Sequence, residues 1–178
     1  YDIEYINATD QLLVSFVVAQ PTYNKTKLYN LDGWTNYFAT PSADTTEVPG
    51  TSIINILPHE NNVAGYVAIS DDEEYVYIID RFFGIDRLHK YKVSGNWDAP
   101  EAYSAFIGDI SSFHDIVYVP SFGVVVAVGG QDAFGEQNLD HSSVFNLDDV
   151  SHIANFGVGS TPLALAYDPI GEHIYISP

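Results

Sequence analysis

An all-β chain assembled from repeated antiparallel units is predicted by three observations. The first is a pattern shared by Gly65–Asp80, His114–Gly129 and Leu163–Pro178, each an apolar strand, a short turn and a second apolar strand. The second is its spacing: Tyr77, Val126 and Tyr175 hold one place in the three copies and stand 49 residues apart across both intervals. A constant period of this length marks an array of supersecondary units. The third is the absence of any useful stretch with a 3.6-residue apolar period, so helices do not compete for these segments. A β-propeller follows as the predicted architecture.

Each copy supplies a hairpin. The first strands are Tyr66–Ile69, Asp115–Val119 and Ala164–Tyr167; the second are Tyr75–Ile79, Val124–Val128 and His173–Ile176. Their turns hold Asp71-Asp72, Pro120-Ser121 and Asp168-Pro169, residue types that set turn dihedrals or bond their own backbone. A further copy opens the chain at Ile3–Phe16, where Val14 takes the place of Tyr77 at an interval of 63 residues. Third strands are expected in Lys27–Trp34, Leu88–Trp97 and Ser143–Asp149, and fourth strands in Ser52–Leu57, Ala102–Ile107 and His152–Phe156. The extra length of the first unit falls in Thr35–Gly50, where Pro41, Ser42, Pro49 and Gly50 mark a long surface loop.

The predicted domain is therefore a single partial β-propeller of four-stranded antiparallel blades, about three and a half of them: 1–63, 64–112, 113–161 and a half-blade at 162–178. A propeller ring normally has four to eight blades, and open sheet faces and edges are avoided. The remaining blades are expected from the same or another chain. A chain of 178 residues with Tyr at position 1 and no Met reads as a processed product or a fragment.

Composition narrows the function classes. Twenty-four acidic against six basic residues give a net charge of −18, which repels nucleic-acid phosphates and anionic lipid head groups. This acidic surface suits a cationic partner, Ca²⁺ or a solubilising role. The longest apolar runs, such as Val124–Val128, are far too short to span a bilayer, and no segment resembles a signal peptide. With no Cys, neither a disulfide framework nor a thiolate metal site is available. Gly-x-Ser-x-Gly is absent, and Gly157-Val-Gly159 does not lead a strand into a helix as a phosphate loop requires.

Starts of inner strands converge on the central tunnel of a propeller, so equivalent positions from several blades can build one site. That register selects Asp2, Gly65, His114 and Leu163, and their neighbours add Asp115 and, from the loop entering the second blade, His59 and Glu60. Asp2, His59, Glu60, His114 and Asp115 are the candidate ligand-binding residues at the tunnel mouth. Imidazoles and carboxylates can hold a divalent cation that polarises a carbonyl and activates water, as in lactonase propellers. The same residue types before a strand also satisfy backbone groups in turns. The acidic run Asp71–Glu74 reads as a solvated turn or a Ca²⁺ site, and Gln131–Asp140 reads as a loop without EF-hand spacing. Sequons at Asn7-Ala-Thr9 and Asn24-Lys-Thr26 make Asn7 and Asn24 candidate glycosylation sites.

The run Pro162–Ser177 resembles the repeat of YVTN-type and YWTD-type (LDL-receptor class B) propellers, and Lys27–Gly33 resembles a third strand of the latter. Tyr77-Ile-Ile-Asp80 keeps the Tyr and Asp of the YWTD tetrad, whereas Val14–Val17, Val126–Gly129 and Tyr175–Pro178 depart from it. Gly129-Gly130, with Tyr91 and Trp97 six residues apart, is similar to a kelch repeat. The two sequons point to an extracellular or cell-surface setting. The expected function is non-enzymatic protein binding or structural support; the alternative is a metal-dependent lactonase-type hydrolase.

Overall fold

The computed structural model describes residues 2–16, 25–30, 53–58, 65–82, 85–95, 97, 99–106, 113–129, 141–158 and 162–177. Among them the chain forms strands and two single 3₁₀ turns, in the four hairpin units expected. The first sheet contains β1 (Asp2–Ile6), β2 (Gln11–Phe16), β3 (Lys25–Asn30) and β4 (Ile53–Pro58). The second contains β5 (Tyr66–Ile69), β6 (Tyr75–Phe82), β7 (Ile85–Lys92) and β8 (Ala102–Phe106). The third contains β9 (Phe113–Val119), β10 (Val124–Gly129), β11 (His141–Asn146) and β12 (His152–Phe156), and the fourth pairs β13 (Ala164–Asp168) with β14 (His173–Ser177). Each sheet is an antiparallel meander in chain order. The third strands begin two or three residues earlier than expected, and the predicted loop at 35–50 lies outside the described residues.

Inner strands β1, β5, β9 and β13 neighbour one another in sequence order, while the sheets meet face to face. The second sheet shows why its strands are apolar almost throughout. Val67, Val76 and Ile78 turn one face onto Ile6 and Leu13 of the first sheet, with Tyr91, Val93 and Trp97 in the same cluster. Ala68, Tyr77, Ile79 and Leu88 turn the other face onto Phe113, Ile116, Val125, Ala127 and Phe145 of the third. Side chains alternate along a strand, so an apolar residue at every position means a core on both sides. Tyr91 stacks on Trp97 with ring centroids 5.5 Å apart, and Tyr77 stacks on Tyr118 across the second junction at 5.9 Å. Polar groups tie this junction as well: the Tyr77 hydroxyl and the buried Lys90 ammonium both donate to the Leu147 carbonyl, at 3.3 and 2.9 Å. The Lys90 ammonium also lies 4.1 Å from the Tyr75 ring centroid.

Strand pairing corrects the register of the first copy. Ala68 faces Tyr77, Val117 faces Val126 and Ala166 faces Tyr175, each pair nine residues apart, and in the first hairpin the pair with this separation is Glu4 and Leu13. Leu13, not Val14, takes the place of Tyr77, and the interval is 64 residues. Leu12, Leu13 and Val14 are all apolar, so hydropathy does not distinguish these alignments, yet a one-residue slip exchanges the two faces of a strand. Three of the four turns keep the corrected register: Asp10, Gly123 and Glu172 hold equivalent places and have positive φ, 52°, 66° and 54°. In the second hairpin the positive φ, 55°, falls on Glu73, one residue before the equivalent Glu74. At Gly123, which closes the Pro120–Phe122 turn, the absence of a Cβ removes the cost of that conformation.

Phe145 is fully buried between the second and third sheets. Phe145→Ala is expected to lower the unfolding free energy by about 3–5 kcal/mol in urea denaturation; a loss below about 1 kcal/mol would show that the two sheets do not pack there.

Candidate functional site

In the corrected register Asp2 is equivalent to Tyr66 and Asp115, rather than to Gly65 and His114. Both Asp residues play one role. Asp2 accepts a hydrogen bond from its neighbour's backbone, Ile3 N–H at 3.0 Å, and another from Val67 N–H of the next inner strand at 2.7 Å. Asp115 accepts from Ile116 N–H at 2.8 Å and from Leu165 N–H of the next inner strand at 2.6 Å. Val67 and Leu165 are themselves equivalent positions, so two of the three junctions carry the same carboxylate stitch. At the intervening junction the equivalent residue is Tyr66, which has no carboxylate to offer.

His114 falls in an irregularity of β9, where Asp115 pairs with Val128 and Phe113 with Gly129, leaving His114 outside the register. It is half-buried, and burial holds its pKa below the ordinary imidazole value. The structure therefore separates the roles of two adjacent candidates: Asp115 bonds backbone, and His114 occupies a bulge. Asn7 lies exposed in the Asn7–Thr9 turn. His59, Glu60 and Asn24 lie outside the described residues. Among the described residues no group of three or more His, Asp and Glu side chains has the geometry to hold a metal ion.

A cleft of about 290 Å³ runs along the inner strands. It is lined by Val67 and Ala68 of β5, Ile116 and Val117 of β9, and by Glu4, Tyr118 and Tyr167; Val67, Ala68 and Ile116 are themselves buried in the cores between sheets. The turn residues Asp71 and Pro169 form the rim, so Asp2 and Asp115 lie at the opposite end of the same strands. Tyr167 is fixed by a 2.5 Å hydrogen bond between its hydroxyl and that of Ser121. Glu4 is the residue that sequence reading overlooked. Its equivalents are Ala68, Val117 and Ala166, so a carboxylate appears in one copy where the others carry small or apolar side chains.

The inner strands form a mutually repelling acidic group. Burial raises the Glu4 pKa above the ordinary carboxylate value, and the negative charges of Asp2 and Asp115 raise it further. Burial also raises Asp115, opposed by the Leu165 and Ile116 N–H bonds, with Asp2 adding to the rise. The Tyr66 phenol moves up for the same reasons: burial first, then Asp2 and Asp115. At the rim, burial raises Tyr118, assisted by Asp71 and Asp72.

No protein-family model matches the sequence, and no curated protein matches it. Solved structures do. The nidogen/laminin complex structure matches with a TM-score of 0.60 at 9% identity, over 98% of this chain and 55% of the other. A luciferin-regenerating enzyme matches with a TM-score of 0.55 at 12% identity, over 98% and 52%. U3-55K matches with a TM-score of 0.52 at 12% identity, over 92% and 41%. Identities this low establish the fold alone: the chain is an all-β structure of propeller blades. It spans about half the length of the structures it matches.

Asp115→Ala removes the acceptor of Leu165 N–H and is expected to cost about 1–3 kcal/mol in urea denaturation; an unchanged midpoint would refute the stitch. Glu4 is expected to act in the opposite sense at neutral pH. Because its folded pKa is raised, the folded state binds the proton more tightly, and the resulting stability is present below the unfolded pKa and lost as pH rises through the folded one. Glu4→Gln should therefore match the parent in melting temperature near pH ~3 and exceed it near pH ~7. A variant less stable at the higher pH would contradict this assignment.

Proposed function

We propose that this chain is a non-enzymatic binding or structural propeller module whose end faces receive a protein partner, either further blades of the same or another chain or a separate protein. One observation carries the reading. Tyr175 is 59% exposed, although its register equivalents Tyr77 and Val126 are each 2% exposed between sheets. At the other end Ile3 is 62% exposed, against 2% for its equivalent Val67. Both ends thus carry apolar side chains at positions that are covered inside the array, and propeller sheets are stable when both faces are covered.

The use made of Asp2 and Asp115 supports the non-enzymatic side of the proposal, since each carboxylate oxygen already accepts a backbone hydrogen bond. The similarity to a nidogen/laminin complex is in keeping with protein binding. The YWTD or YVTN type, an extracellular or cell-surface setting, Ca²⁺ association and glycosylation at Asn7 and Asn24 belong to the same proposal, supported by the repeat resemblance, the acidic charge and the sequons. The described residues include no helix long and apolar enough to cross a membrane.

The chain is expected to associate in sedimentation-equilibrium experiments, and Tyr175→Glu should shift the distribution toward the mass of a single chain. A monodisperse single chain at every concentration would sink the between-chain form of the proposal. Metal analysis addresses the enzyme alternative: a stoichiometric divalent ion lost on His114→Ala, together with lactone hydrolysis, would replace the binding reading with the hydrolase.

A further inference from the structure

Among the described residues no strand pairs with the outer edge of β14. In the three preceding units the equivalent strands β2, β6 and β10 each pair antiparallel with a third strand. An unpaired edge is a row of backbone donors and acceptors that another strand can satisfy. Side-chain burial marks the same edge. Ile174 and Ile176 hold the places of Val76 and Ile78 in the second sheet and of Val125 and Ala127 in the third. Those four are 0% exposed, whereas Ile174 and Ile176 are only partly buried.

The repeat specifies what covers such residues. The third-strand residue opposite the Ile174 position is aromatic in every preceding unit: Tyr29 faces Leu12, Tyr91 faces Val76 and Phe145 faces Val125. Side chains directly opposite one another share a face of the sheet and touch. Tyr91 shares a core with Val76 and Ile78, and Phe145 shares the next with Val125 and Ala127. An aromatic ring is therefore due opposite Ile174.

The third sheet holds a seat for that ring. At the preceding junction Phe145 shares its core with Leu88 of the second sheet, and Ala102 packs against the same cluster. Ala154 holds the place of Ala102 in the third sheet, and Phe156 lies two residues along the same face. Ala102 is partly buried, but Ala154 is exposed and Phe156 is 38% exposed. Val144, beside Ala154, is only partly buried, whereas its equivalent Lys90 is buried. The uncovered apolar surface thus lies where the ring of an added strand comes to rest.

We propose, as an extension of the partner-binding reading on which this rests, that the β14 edge accepts an extended strand of a partner polypeptide as its third strand. The strand runs antiparallel and places a Tyr or Phe opposite Ile174, its ring packed on Ile174, Ile176 and Phe156. Backbone pairing supplies affinity and the seat for the ring supplies selectivity, as in other strand additions. Tyr175 alternates to the opposite face, so the strand seat and the end-face contact can fail separately.

Calorimetric titration of the intact chain with a capped peptide of the sequence Lys25–Asn30, which carries Tyr29 in this register, tests the proposal. Tyr29→Ala in the peptide keeps its charge and should weaken binding about tenfold or more, the effect of losing one buried ring. Phe156→Ser in the protein should weaken binding of the parent peptide about threefold or more, with a melting curve confirming that the variant is folded. Alternate residues of an antiparallel strand bond to a given neighbour, so peptides N-methylated on one alternating set should lose binding and those methylated on the other should keep it. No saturable binding, equal affinity of the Tyr29→Ala peptide, unaltered affinity in Phe156→Ser, or equal effects of the two methylated sets would overturn the proposal. Sedimentation separates it from the end-face contact. Self-association without peptide binding removes the strand seat and leaves the end-face contact standing; peptide binding by a chain that stays single supports the seat and removes self-association.

Discussion

Burial of both faces of a sheet by its neighbours is the constraint on which the rest of this structure depends. The second sheet is the clearest case, with Val67, Val76 and Ile78 on one core and Ala68, Tyr77 and Ile79 on the next. An isolated four-stranded sheet with these residues would expose a large apolar surface to water. Stacking removes that surface, at roughly 25 cal/mol for each Å² of apolar area covered. Two further properties follow from the same requirement. Strands carry apolar runs instead of simple alternation, and sheets at the ends of the array retain an apolar face, as Ile3 and Tyr175 do.

Where neighbouring inner strands meet, directional contacts supplement this non-directional attraction. Hydrophobic packing alone leaves the relative slide of two sheets weakly specified. The Asp2 and Asp115 carboxylates fix it by reaching backbone N–H groups at equivalent points of the following strand. Lys90 and Tyr77 perform a comparable function further out, meeting on the Leu147 carbonyl. Glu4 belongs to the same inner face but is committed to no such bond among the described residues. Its raised pKa reflects burial together with the stitches' own charges, so the groups that order the inner strands also give the cleft its negative field.

Much of this architecture was legible in the repeat. The hairpins at Tyr66–Ile79, Phe113–Gly129 and Ala164–Ser177 follow from apolar segments separated by Asp, Pro and Gly turns, and the constant interval shows that they are copies. The candidate site was less legible. Asp2 and Asp115 were selected from strand starts, yet their shared role emerged only from the pairing of Glu4 with Leu13, which places the two Asp residues in register. His114 looked equivalent to Asp2 because the first copy was aligned on Val14 instead of Leu13, a slip of one residue. Glu4 escaped notice because a carboxylate in an alternating strand ordinarily faces water.

By itself, the sequence determined that this chain is a β repeat of four-stranded units, that its surface is strongly acidic and that its strands seek cover on both faces. Those properties are local or additive: they depend on residue type, spacing and sums of charge. Only the tertiary structure decided which carboxylates are consumed in stitching sheets and which one remains to line a cleft. The reason is geometric. A hydrogen bond between Asp115 and Leu165 joins residues 50 positions apart, and its existence turns on a one-residue register that hydropathy does not encode.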